Sequence, residues 1–347
     1  MQIATIGALA FAGLPGLAAL IALFFTYQQG HATDVQLQIA QQGQITDRYN
    51  AAITNLGSPS IEVRLGGIYA LQPLMQDSSR DQPIVVAVSC AFVRDQTKSS
   101  VRSPMRLTSQ LPTDIQAALT VIGTRNTAND GLTIVVDLDR AQLPNALLDA
   151  LNLSGANINS ADLTGASLTH ADLSKADLTG AYLSSANLTR TFLFGANLTD
   201  ANLDGANLTK VGLVGAKIVG ADFTDANLTG VFLSDQNLTD DNFLGANLTN
   251  ANLDGANLHD ADLAYATLRR AVTIIPAGLS PPGLPVTNLT GANLTHADLT
   301  GANLTHANLT GANLTGVDLT GAIWPKNIPV PKGWVQDPSS GQLRAQA

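Results

Sequence analysis

The side chains best suited to chemistry are few, and their spacing does not serve it. The chain of 347 residues has five histidines and one cysteine. His296 and His306 stand ten residues apart, and His170 and His259 are distant from both and from each other, so no donor set approaches the four ligands of a zinc site. Cys90 sits in the apolar run Ile84 to Val93; it has no partner for an internal disulfide and reads as a core residue. There is no glycine-rich phosphate loop after a strand, no Gly-x-Ser-x-Gly elbow, and no base held by a second carboxylate. The acid pair Asp240–Asp241 reads as a solvated corner rather than an acid–base couple. The expectation is therefore a protein that is not an enzyme, with no catalytic, cofactor-binding or metal-binding residue. Four apolar residues remain conspicuous: Phe192, Phe194, Val214 and Phe232 stand where neighbouring repeats carry Asp, Asn, Ser or Thr. An apolar patch bounded by polar residues marks a contact site, here a candidate protein-binding patch, unless the neck or tail folds over it.

What must position those residues is a five-residue beat. Ala161-Asp162-Leu163-Thr164-Gly165 recurs in variants such as Ala206-Asn207-Leu208-Thr209-Lys210, and the central apolar residue runs from Leu143 to Leu268 without a slip. Helices repeat apolar positions every 3.6 residues and strands every 2, so a period of five needs a unit that turns a corner once per repeat. The Ala position (i−2) and the Leu position (i) then share the inner face of a short strand. Asp or Asn (i−1) and Thr or Ser (i+1) face out, and the Gly-rich i+2 position takes the corner. Two residues break the rule: Gln236 and Asp241 occupy inward i−2 positions. A buried carboxylate is costly without partners, which predicts a local bulge there.

The motif A(D/N)LXX resembles the pentapeptide-repeat family. The resemblance implies a mainly β fold, a right-handed four-sided β-helix with four repeats per coil. At about 4.8 Å between stacked strands the first array would be about 31 Å long, and each buried Leu would contribute about 1.5–3 kcal/mol. Folded on a twenty-residue coil, His296 and His306 fall on opposite sides. Thr169, Thr189, Thr209, Thr229 and Thr249 line up beside Asn187, Asn207, Asn227 and Asn247, a column the consensus produces unaided. Phe192 and Phe232 share a column two coils apart, with Gly212 leaving a gap between them. Matching stops at 272–286, with Ile274-Ile275-Pro276 and Pro281-Pro282-Gly283, and resumes from Leu289 to Leu319. Leu268 to Leu289 is 21 residues, read as one irregular coil with one bulged residue inside a continuous β-helix.

Ile3 to Tyr27 is an uncharged stretch of 25 residues, about 37 Å as a helix against about 30 Å of bilayer hydrocarbon, and is expected to be a transmembrane anchor. Pro15 is expected to kink it. Ala8, Ala12 and Gly16 at four-residue steps would let two copies pair as a homo-oligomer, although an unpaired span accounts for the same residues. Arg48, Arg64 and Arg80 follow the span with no basic residue before it, and the Asn-Leu-Thr sequons of the array suit an unglycosylated setting, so a single-pass protein with a cytoplasmic body is expected.

Helical patterning predicts helices near 34–56, 59–76, 82–97 and 113–123. Gln44 to Arg48, Glu62 to Leu71 and Cys90 to Arg94 resemble the helical neck of membrane-anchored bacterial pentapeptide-repeat proteins. The expected order is an anchor over 1–30, an α-helical neck over 31–128, β-helix over 129–271, the Pro-rich coil 272–286, β-helix over 287–325, and a cap and tail over 326–347. Leu132 to Leu138 is the expected first strand, Trp324 and Trp334 cap the far end, and Pro338 to Ala347 is expected to be disordered.

Residues 141–325 hold six Lys or Arg and sixteen Asp, a net −10 that accounts for the acidity of the chain. The best-known activity in the resembling family, mimicry of duplex DNA to bind type II topoisomerases, is the alternative to an unidentified protein partner. Duplex DNA carries one charge per about 1.7 Å, so about 43 Å of array would need about 25 charges, far above −10. Neither direct nucleic-acid binding nor a cofactor is expected.

Overall fold

The computed structural model describes residues 14–98, 110–130, 135–271 and 287–346. Four helices come first: α1 Leu14–Leu56, α2 Ile61–Asp77, α3 Gln82–Lys98 and α4 Thr113–Gly123. Ser60 caps α2 by accepting from the Val63 amide, and its hydroxyl donates to Glu62. The second half of the expected span and the first neck helix are one unbroken helix of 43 residues. Pro15 is the second described residue of that helix, and the turn before it, where the expected kink would show, lies outside the described residues. No helix among the described residues is long and apolar enough to cross a membrane. Of the expected span, residues 3–13 lie outside the described residues.

From Asp137 onward most outward i−1 residues bridge their counterparts twenty residues later, as in Asp137–Asn157, Gln142–Asp162, Leu147–Ser167 and Asn152–Asp172. Four parallel bridge columns per twenty residues make a four-sided β-helix. The inward Ala and Leu positions are buried almost throughout. The corner positions adopt positive φ, in non-glycine residues such as Arg190 and Lys210 as well as in glycines. The Asp and Asn at i−1 close the corners. Asn187 Oδ1, for example, accepts from both the amide and the hydroxyl of Thr189. Asn side chains also donate to the same position one coil earlier, as Asn242 does to Asp222. In the Thr column, Thr189, Thr209, Thr229 and Thr249 therefore donate their hydroxyls within their own repeats.

The array begins one repeat before Leu143, with Val136 and Leu138 buried in register. Across 272–286 the bridges Asn257–Asn288, Asp262–Asn293 and Thr267–Asp298 are 31 residues apart, eleven more than one coil. The interval from Leu268 to Leu289 is thus two repeats plus an eleven-residue insertion, where one coil plus one residue was expected; the β-helix is continuous. Residues 272–286 themselves lie outside the described residues. A coil with so many prolines would lack ladder donors, and the described ladder does not count these residues as a coil.

Both ends of the stack are closed. At the first coil, α4 lies over the edge: Gln116 pairs with the Leu147 main chain through both its amide atoms, at 2.6 and 2.9 Å, as a strand would. The Asn152 amide donates to Gly123 C=O, and Arg125 donates to Asn152 C=O while paired with Asp130. Arg94 pairs with Asp137, and Arg64 pairs with the buried Asp114 at 2.6 Å. Cys90 is a buried free thiol, pushed up to about 11 chiefly by desolvation. At the far end Trp324 fills the inward position of the last coil and donates to Ile328 C=O. The expected disorder of 338–347 is corrected: β1 Trp334–Gln336 and β2 Leu343–Ala345 form an antiparallel hairpin. The Leu343 amide donates to Ala322 C=O, so this hairpin covers an edge that would otherwise present unpaired backbone.

Candidate functional site

Phe192, Phe194, Val214 and Phe232 lie on one flat side of the β-helix, formed by the repeats centred on Leu193, Leu213 and Leu233. All four are exposed, from 42% for Phe194 to 65% for Val214. Among the described residues, those that line the patch all come from the array itself. They line a shallow groove of about 400 Å³. Phe192 and Phe194 meet with ring centroids 5.8 Å apart. The space above Gly212 is not empty as its sequence position suggested. A Cβ on Gly212 would stand 2.8 Å from the Phe194 ring, so the absent side chain is what lets that ring lie across the floor. Phe192 and Phe232 flank it.

One edge of the groove is basic. His170, Arg190 and Lys210 occupy the same corner in three successive coils and all border the groove. Four of the six Lys and Arg in residues 141–325 fall between Lys175 and Lys217, so the scarce positive charge of an acidic solenoid is gathered around this side. Asp172 lies one coil below Phe192, its carboxylate accepting from the Ser174 amide. The basic column was readable in the twenty-residue fold but invisible to a search for apolar residues alone.

Beside the groove the ladder opens. The bridges expected between Gly212 and Phe232 and between Lys217 and Asn237 are absent, while Asp222–Asn242 on the next side is kept. The two misfit inward residues stand in this opening. Gln236 Nε2 reaches Leu213 C=O at 3.5 Å, and Asp241 Oδ1 accepts from the Gly220 amide at 2.8 Å, replacing ladder bonds. The predicted bulge is thus a separation of two coils with no residue inserted. Asp241 is fully buried and its Oδ2 has no hydrogen-bond partner. Burial pushes its carboxyl up to about 7, against the lowering effect of the Gly220 amide. Phe223 and Phe243 stack at 5.0 Å inside the same two coils and hold the closed side together.

The other candidates do not converge. His296 stacks on Tyr265, and His259 contacts Thr290 C=O and Asp260. No group of three or more His, Cys, Asp or Glu among the described residues is placed to hold a metal ion. Asp240 is exposed at a corner while Asp241 is buried, so the two do not act on one face.

The family model described as "Pentapeptide repeats" matches the chain in eight copies between residues 136 and 323. Among solved structures, HetL, a pentapeptide-repeat protein involved in heterocyst differentiation regulation from the cyanobacterium Nostoc, is 35% identical over 55% of this chain and 90% of its own, with a TM-score of 0.28. QnrB1, a plasmid-mediated fluoroquinolone resistance protein, is 21% identical over 52% of this chain and 87% of its own, with a TM-score of 0.27. A second Nostoc pentapeptide-repeat protein, alr5209, is 35% identical over 26% of this chain and 69% of its own, with a TM-score of 0.16. At those TM-scores the superpositions carry no argument; the repeats themselves do. No curated protein matches the chain in sequence.

Proposed function

We propose, from the premise that this chain belongs to the pentapeptide-repeat family, that it is a non-enzymatic protein-interaction module, held at a membrane through Ile3 to Tyr27 with its body on the cytoplasmic side. The observation that carries this reading is the groove in which four exposed apolar residues, three of them aromatic, gather on one side of the array. A β-helix with both ends covered is a stiff support, so a docking face on it is presented without the ordering cost of a loop. The apolar run Ile3 to Tyr27, whose second half opens α1, supplies the tether, and the neck follows it in the chain.

The alternative, a DNA-mimicking binder of a type II topoisomerase, is weakened by the low charge density and by the cations gathered on one side. Supercoiling by gyrase in the presence of residues 110–347, which retain α4 as the cap, tests it; no inhibition at micromolar protein removes it. The leading reading is tested by crosslinking in membranes with the intact chain beside a Phe192→Asp/Phe232→Asp variant whose fold is verified by circular dichroism. A specific partner should be captured by the parent and lost from the variant. Identical capture by both would move the search to the neck or the span.

A further inference from the structure

The groove has a chemical polarity that a general docking face does not need. Its floor and walls are aromatic, one edge is the column His170, Arg190 and Lys210, of which Arg190 and Lys210 are the fixed cations, and that column runs parallel to the floor over three coils, about 10 Å from first to last. We infer that the occupant is a short extended acidic peptide segment carrying an aromatic or large aliphatic anchor, with its carboxylates on the basic column and its anchor against Phe192, Phe194 and Phe232. This rests on the reading of the module as a protein binder and names the chemistry of its partner.

Each element of the site favours that ligand over another polyanion. A nucleic acid would carry its phosphates past the basic column onto a surface of net −10, with Asp172 at one end of the groove and Asp235 on the coil of Phe232. An anionic bilayer would face the same repulsion, and it takes up protruding side chains, whereas these rings line a recess. A peptide of a few residues needs only the local field, to which Arg190 and Lys210 contribute at the groove edge. The recess accepts an anchor because Gly212 lets the Phe194 ring lie flat, leaving Phe192 and Phe232 as walls.

The test is a selection of random displayed peptides of about twelve residues, more than enough at about 3.3 Å per residue to cross the groove, on the intact chain, with counter-selection on the Phe192→Asp/Phe232→Asp variant. The expected result is enrichment of Asp or Glu flanking Phe, Trp or Leu. Affinity of a synthetic winner, read by fluorescence anisotropy, should fall about tenfold or more in an Arg190→Asp/Lys210→Asp variant and weaken with salt. Asp is used because both positions have positive φ, which Asp tolerates and already adopts at Asp200 and Asp225. Peptides without acidic bias, no enrichment, or an affinity indifferent to the charge reversal would overturn the inference. So would phosphatidylglycerol vesicles or oligothymidylate that bind the parent more tightly than the peptides do and lose that binding in the Phe192→Asp/Phe232→Asp variant, since binding through Ile3 to Tyr27 would be the same in both. If a partner is lost from the aromatic variant in membranes while selected peptides are not acidic, the module reading stands and this inference fails.

Discussion

The coils from Leu143 to Leu208 and the pair from Val211 to Asp241 are built on one repeat, yet only the first stack is closed on all four sides. In the regular coils each i−1 residue bridges the next coil and every inward position holds Ala or a larger apolar residue, apart from Thr191, whose hydroxyl donates to Leu168 C=O. In the irregular pair two sides lose their bridges, and Gln236 and Asp241 reach across with side-chain atoms. A solenoid in which each unit contacts only its neighbours can carry such a fault without unfolding, because the cost stays local. The fault and the groove adjoin: the coil that departs from the ladder is the one that holds Phe232. The repeat thus supplies rigidity where it is obeyed and individuality where it is not.

The largest effect should come from the regular stack. Leu183→Ala empties a fully buried position between two closed coils and should cost about 2–5 kcal/mol in denaturant unfolding; a loss under about 1 kcal/mol would mean the regular coils are as adaptable as the irregular pair. Next, Asp241→Ala restores the consensus, removes the unpartnered Oδ2 and should raise stability by about 1–3 kcal/mol. A smaller effect, about 1–2 kcal/mol of destabilisation, is expected for Gln116→Ala, which strips α4 of its two bonds to Leu147 and frays the first coil; hydrogen exchange at residues 138–150 would locate it. Phe192→Asp/Phe232→Asp should change stability least, since both rings are exposed, while abolishing capture of the partner.

Asp241 also separates the two regions through pH. Its folded-state pKa, about 7, lies above the ordinary 3.8, so the folded protein holds the proton more tightly than the unfolded chain. Its contribution is fully present below about pH 4, declines as pH rises toward 7 and is lost above. The stability gained by Asp241→Ala should therefore be larger at about pH 8 than at about pH 5, read as the shift in denaturation midpoint between parent and variant. A gain independent of pH would show that the buried carboxyl is not the titrating group.

Much of this molecule follows from its period alone. A beat of five with small and large apolar positions two apart can be satisfied only by a corner every repeat, so the inward set, the corners and the stacking were legible residue by residue. The helix 113–123 and the neighbouring breaks at Gly57 and Ser78 were legible because glycine, serine and proline act locally. Also legible were the outward placement of the aromatics and the misfit of Asp241, since each violates a rule its neighbours obey; whether the aromatics were covered was not. Tertiary contacts decided the rest. The eleven-residue insertion could not be counted from Leu268 to Leu289, because pairing across it is set by the coils above and below. The order of the C-terminal hairpin depends on the open edge at Ala322, which no window of sequence contains. The Phe194 ring over Gly212, the basic column beside it and the opening of the ladder bring together residues twenty apart, and that distance is closed only when one coil lies on the next.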